Sequence, residues 1–262
     1  MISVSSVISV LPALALFAGL FVFPHARALA VDTKYADTLF AQRAEPAKLE
    51  AACKAYEDAG AWARAAFCCT ARLELYEDLK KDSQKEPWIE RGMKDAAKAL
   101  GVKDPDDVPD QLASFAKKDA GPLFSWAACY GRKIELSSWL KQAFMVGKLR
   151  KVAERAAELD ATVYYGAPDR MLAELYASAP GAFGGDIEKA KAAIKAAVET
   201  APKLLQNYCT RAIVERESGD RAAARADLQR VLSGDVHAIP GLEVEQEASK
   251  RDAKALLEKL GK

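Results

Sequence analysis

The sequence predicts an all-α fold, a tetratricopeptide-like helical-hairpin solenoid of about a dozen helices, and three observations carry that reading. Beyond residue 31 the chain is Ala-rich and studded with Lys, Glu and Arg, and alternating β-branched stretches are almost absent. Gly and Pro breakers divide it into pieces of helix length. A pattern of small and apolar residues recurs after 34 residues, the tetratricopeptide period. With 262 residues, 50% of them hydrophobic and 29% charged, the chain is long and apolar enough to bury a sizeable core.

The first segment reads as a secretory signal. Residues 1–30 hold Arg27 as their one charged side chain, and Val7 to Phe23 is almost unbroken apolar sequence. Ala28-Leu29-Ala30 supplies the small-x-small pattern that a signal peptidase accepts. Cleavage after Ala30 leaves 31–262 as a single domain. An uncleaved membrane anchor is the alternative, since about 20 apolar residues span a bilayer. Either way the bulk of the chain is exported.

Helix-length segments then follow between breakers at Glu45-Pro46, Gly60, Glu86-Pro87, Gly101 to Asp110, Gly121-Pro122, Gly147, Gly166 to Pro168, Pro180 to Gly185, Pro202, Gly219 and Ile239 to Gly241. The acidic stretch Lys103 to Asp110 lacks the central Gly and terminal Glu of a calcium loop and is expected as a solvated turn. Trp88, next to Pro87, is expected to pack at a helix start. Gly185-Asp186 with Ala190, Ile194 and Ala197 recurs as Gly219-Asp220 with Ala224, Leu228 and Val231. In each copy Gly-Asp ends one helix and caps the next, Ala lets two helices approach, and the residues four and seven further on share its face. Leu205, Tyr208, Cys209, Ala212 and Ile213 follow the stripe of a helix buried on one side. A fainter copy runs through Leu49, Cys53, Tyr56, Gly60, Ala65 and Cys69, with Cys53 facing Ala65. Two helices cannot bury their own apolar faces, so the hairpins must stack into a curved body with a concave side.

Charge and chemistry narrow the functions. Lys+Arg and Asp+Glu stand at 38 and 37, so binding driven by phosphate neutralisation, and with it a nucleic-acid partner, is not expected. His25 lies in the leader, which leaves His237 as the imidazole of the exported chain and excludes a multi-His metal site. His237 follows Ser233-Gly234-Asp235-Val236 in a loop with neither a nucleophile elbow nor an oxyanion hole, and an exposed loop histidine is expected. Gly181-Ala-Phe-Gly-Gly-Asp lacks the preceding strand and the Gly-Lys-Ser/Thr ending of a phosphate loop. Asp106-Asp107 lie in a polar loop where nothing desolvates them. Neither enzyme activity, metal nor cofactor is therefore expected. The five cysteines, Cys53, Cys68, Cys69, Cys129 and Cys209, match no zinc spacing and read as buried structural thiols, with a disulfide from Cys53 to Cys68 or Cys69 as the alternative.

The aromatic residues are the better candidates for binding. Trp126, Tyr130 and Trp139, with Tyr164, Tyr165 and Arg170 from a later helix, could line a concave groove for a partner or an apolar ligand. Inter-helix packing is the competing role for each of them.

A longer resemblance runs through the chain in order. It begins at Lys34-Tyr35-Ala36-Asp37-Thr38-Leu39-Phe40-Ala41-Gln42-Arg43 and continues at Leu123-Phe124-Ser125-Trp126-Ala127-Ala128. It is most specific over Arg155-Ala-Ala-Glu-Leu-Asp160, Tyr164-Tyr165-Gly166 and Pro180 to Ala190, and it closes on Ala255-Leu256-Leu257-Glu258-Lys259-Leu260. These pieces resemble the T component of tripartite ATP-independent periplasmic (TRAP) transporters, an exported tetratricopeptide-like family. The lipobox of many members is absent, as is a second Trp near Tyr130-Gly131. The resemblance implies a non-catalytic periplasmic subunit that forms a homotrimer, docks the transporter's solute-binding protein, and helps pass a hydrophobic small molecule through channels near the trimer axis. The residues by themselves leave two other roles open: a general scaffold in an envelope complex, and a carrier of an apolar molecule.

Overall fold

The computed structural model describes residues 32–76 and 78–261, with the side chains of 139, 143 and 182 set aside. The signal peptide expected over residues 1–30, and its cleavage after Ala30, lie outside the described residues. Asp32–Lys262 forms one compact unit. Among the described residues there is no strand; the α-helices are α1 (Lys34–Ala41), α2 (Pro46–Asp58), α3 (Trp62–Leu75), α4 (Asp82–Leu100), α5 (Ala120–Glu135), α6 (Trp139–Asp160), α7 (Ala167–Ser178), α8 (Ile187–Thr200), α9 (Leu205–Glu217), α10 (Arg221–Ser233) and α11 (Glu243–Leu260). Each packs on the next, and α3 on α5, α7 on α9 and α9 on α11 add the alternate contacts of a helical solenoid.

The 34-residue pattern shows why these helices pair. Ala190, Ile194 and Ala197 of α8 and Ala224, Leu228 and Val231 of α10 are all buried, none more than 2% exposed. Asp186 caps α8 by accepting from the backbone N–H groups of Glu188 and Lys189, and Asp220 caps α10 by accepting from Ala223 N–H. The glycine before each cap does different work. Gly219 takes a left-handed φ of 89°, whereas in the other copy Gly184 takes that conformation and Gly185 is squeezed, its missing Cβ falling 1.8 Å from the Ala179 carbonyl oxygen. The fainter copy also folds as a hairpin, with Leu49, Cys53, Ala65 and Cys69 buried between α2 and α3 and Gly60 left-handed at the corner.

Four expectations give way to tertiary context. Pro87 lies inside α4, which starts at Asp82; five residues into a helix, its missing N–H removes one bond near the fraying end. Trp88 is accordingly in the second turn, between the guanidinium groups of Arg72 and Arg91 at 5.7 and 5.1 Å from its ring. Gly147 interrupts nothing and sits within the 22-residue α6. Helix α9 is buried on both sides rather than one: Asn207, Thr210 and Val214 are covered by α7 and α8, opposite the Tyr208, Cys209 and Ala212 stripe on α10 and α11. The acidic stretch is more than a solvated turn, since Pro105–Asp110 forms a 3₁₀ turn with Val108 fully buried and the Pro105 carbonyl accepting from the Trp126 indole N–H at 2.8 Å.

All five cysteines are buried free thiols, and the disulfide alternative from Cys53 is not formed. Burial pushes Cys209 up to about 12 and raises Cys53 and Cys129 further; hydrogen bonding to Cys53, then burial, raises Cys69. The thiols act as small hydrophobes, and Gly92 of α4 shows how closely: a Cβ there would meet Cys129 Sγ at 2.4 Å and Cys69 Cβ at 2.9 Å.

The largest departure is at the ends of the solenoid. Helix α11 returns to the start of the chain, where Val244 and Ala248 pack on the cluster made by α1, α2 and α3. Arg43, 6% exposed, bonds both carboxylate oxygens of Glu245 at 2.7 Å and also donates to the Gly241 carbonyl. Arg251 donates to the Leu75 carbonyl at 2.9 Å. The last helix and the segment before it are therefore joined to the first three.

Candidate functional site

Two clefts are lined by the conspicuous aromatic and charged side chains. The first, about 520 Å³, draws its walls from all along the chain: Phe40, Phe67, Phe124, Tyr164 and Arg170, with Leu242 and Glu245 from the closing segment. The second, about 540 Å³, lies among α5, α6 and α7 and is lined by Ile134, Val146, Leu149, Met171, Leu175 and Phe183. Glu74 of α3 lines both.

A ladder of rings runs along the first cleft. Tyr56 and Phe40 are 6.4 Å apart between centroids, Phe40 and Phe67 5.9 Å, Phe67 and Tyr164 4.1 Å and nearly parallel, and Tyr164 and Phe124 5.6 Å. Tyr164 reaches Phe67 because Tyr164 and Tyr165 both hold left-handed backbone, φ 45° and 62°, ahead of Gly166 at 81°. Two consecutive non-glycine residues in that region store strain of about 1–3 kcal/mol each, of the kind found where a side chain must be aimed. Arg170 is held by the same turn: its Nη1 donates to the Tyr165 carbonyl at 2.9 Å and to Asn207 Oδ1 at 3.0 Å. Asn207 in turn caps the end of α8 by donating to the Ala197 and Ala201 carbonyls.

Charged groups concentrate near Glu74. Glu74 and Glu174 are exposed to solvent yet surrounded by protein, as expected of side chains that line a cleft. Burial lifts both carboxyls above their ordinary range, with Arg132 and Arg170 opposing the shift. Burial also lowers the Arg170 guanidinium to about 10. Glu174 Oε1 accepts from Thr210 Oγ1 at 2.7 Å, and Arg132 pairs with Glu135 at 3.0 Å. The result is a cluster of mixed charge beside two clefts with mostly apolar walls.

The candidates named from sequence separate into two groups. Tyr164, Tyr165 and Arg170 line the first cleft. Trp126 and Tyr130 belong to the core: Trp126 is fully buried, and its ring stacks on Tyr130 with centroids 4.5 Å apart. Trp139 opens α6, and its side chain lies outside the described residues. Phe40, Phe67, Glu74 and Glu174 went unread because each sits in an ordinary helical pattern; the packing of remote helices makes the first three line one cleft and the two carboxylates line the other. His237 is exposed in its loop, and among the described residues no group of three His, Cys, Asp or Glu side chains could hold a metal ion. Among those residues no helix is long and apolar enough to cross a membrane.

The family model for the TRAP transporter T-component matches residues 33–261, from the start of α1 to the end of α11. No curated protein matches the chain. The match spans every helix that builds the two clefts, and the chain belongs to the TRAP transporter T-component family.

Proposed function

We propose that this T component is a non-catalytic periplasmic subunit that docks the transporter's solute-binding protein and passes an apolar small molecule through the two clefts, working as a homotrimer. The observation that carries the ligand part is a pair of apolar-walled clefts that share Glu74 in their lining, one of them with a ladder of five aromatic rings along it. An apolar body would lie along Phe67 and Tyr164, and a polar end would be held by Arg170 and the two carboxylates. Tyr165 borders the same cleft, while Trp126 and Tyr130 pack in the core on the opposite face of α5 from Phe124. Trp139 is proposed for partner contact on its place at the head of α6. The apolar leader supports export, and the family supports association with a TRAP transporter.

Two measurements test this. A neutral naphthylamine probe should brighten on binding the wild type and lose that signal in Glu74→Trp, which fills space in both clefts, with melting temperature within a few degrees of wild type. Binding unchanged by Glu74→Trp would remove the ligand reading. Purification from intact envelopes should bring down a solute-binding protein; its consistent absence would favour the general scaffold. Native mass spectrometry should show three copies.

A further inference from the structure

The first half of α6 presents a face that neither the clefts nor the solenoid packing use. Phe144 is 78% exposed and Leu140 54%, the first and third most exposed large apolar side chains among the described residues, with Tyr35 at 72% between them. At roughly 100° per residue, Leu140, Phe144, Gly147, Lys148 and Lys151 project from one side of the helix, opposite the buried Leu149 and Ala153. Lys141 flanks them, and all three lysines are exposed. From Leu136 to Ala153 the sequence has no Asp or Glu, so a chain that is nearly neutral overall carries here a local cationic field.

We propose that this face of α6 rests on an anionic lipid bilayer, with Leu140 and Phe144 entering the headgroup boundary and Lys141, Lys148 and Lys151 facing lipid phosphates. Apolar side chains at helical spacing, bordered by lysines and free of carboxylates, are what an interfacial helix presents to an anionic leaflet. The two side chains form a ridge rather than a groove, which suits a fluid surface that closes around it. The same helix walls the second cleft through Gln142, Val146 and Leu149, and Phe183, 47% exposed, stands at that cleft's edge, where Arg150 holds its backbone carbonyl at 3.2 Å. Bilayer contact would thus lie beside an apolar cleft, a short path for an apolar molecule between lipid and protein. The contact itself does not depend on what the clefts carry.

Gly147 offers a direct probe: a Cβ there meets nothing within 4 Å, and the five native thiols are buried, so Gly147→Cys in the full chain takes an environment-sensitive dye selectively. The dye should brighten and shift to the blue with vesicles of equal phosphatidylglycerol and phosphatidylcholine but not with phosphatidylcholine alone, and 0.5 M salt should reverse it, as screening at a Debye length of about 4–5 Å requires. Adding Leu140→Ser with Phe144→Ser should weaken vesicle binding about tenfold or more, and Lys148→Glu with Lys151→Glu should do the same. These positions are exposed, so circular dichroism and melting temperature should not change. Residues 1–31 are the same in every variant, and bilayer insertion by them alone would leave the dye at 147 silent. The proposal falls if the dye ignores anionic vesicles or if its response survives the double Ser variant. It falls equally if the shift comes from raising protein concentration without lipid, which would assign the face to a second copy, or from adding the solute-binding protein without lipid.

Discussion

Tyr165 holds its strained backbone with a side chain 44% exposed, so it contributes little burial against the conformational cost. Tyr165→Gly should raise the melting temperature by a few degrees, through relief of about 1 kcal/mol, while loosening the aim of Tyr164 and Arg170 and weakening the naphthylamine probe. Thermal melts and probe titration read both effects; a lower melting temperature would show that the left-handed turn is not strained. Gly92 is the opposite case. Its Cβ position is occupied by Cys129 and Cys69 on two other helices, so Gly92→Ala should cost about 1–3 kcal/mol in urea denaturation despite the better helix propensity of Ala. Nothing in the local sequence around Gly92 foretells this. A glycine in mid-helix reads as a weakness, and the reason for it sits 23 residues upstream and 37 downstream.

On the scale of elements, α9 and α10 are joined by a charge cluster. Arg211 clamps Asp227 with bonds of 2.5 and 2.6 Å, Glu215 Oε1 lies 3.7 Å from Arg211, and Glu215 Oε2 is buried with no hydrogen-bond partner among the described residues. Burial, then the nearby Asp227, pushes the Glu215 carboxyl up from 4.5 to about 7, with Asp220 adding to the rise and Arg211 opposing it. A carboxyl raised on folding disfavours the native state as it ionises, so stability is lost as pH climbs from about 4.5 to about 7. Glu215→Gln should match wild type at pH 4 and exceed it by on the order of 1–2 kcal/mol above pH 7, after allowance for solvent screening. Denaturation at pH 4, 6 and 8 checks this, and a constant offset across pH would sink it. Most elements were legible in the sequence because Gly-Asp corners and period-3.6 stripes are local, whereas Pro87 and Gly147 misled because one breaker costs less than the burial gained by a continuous α4 or α6.

For the whole molecule, the decisive contact is Arg43 with Glu245 and Gly241, which joins the two ends of the solenoid. Removing one partner of a nearly buried pair leaves the other uncompensated. Arg43→Ala should therefore cost about 3–5 kcal/mol at that contact. Amide exchange should speed in α11 and α1 while α5 to α8 stay protected, and the naphthylamine probe should bind more weakly, since both residues border the first cleft. Uniform exchange across all helices would instead show that the ends are not a separable unit. Of the candidate site, Tyr164, Tyr165 and Arg170 were visible as an aromatic and basic cluster within one short stretch. Phe40, Phe67 and Glu74 were not: Phe67 and Glu74 share a face of α3, but the cleft that face lines is completed by Phe40, Phe124 and Tyr164 from remote parts of the chain.

The amino-acid sequence by itself determined the helices, their capped corners, the 34-residue repeat and the family, since each of these is written within a few turns of chain. Only the tertiary structure decided that α11 packs back on α1 to α3, that Glu74 lines two apolar-walled clefts, and that Trp126 packs inward while Tyr164 faces a cleft. Helical periodicity states how apolar a face is but not which remote face will cover it, and that choice is settled by the packing of helices as far apart in the chain as α1 and α11.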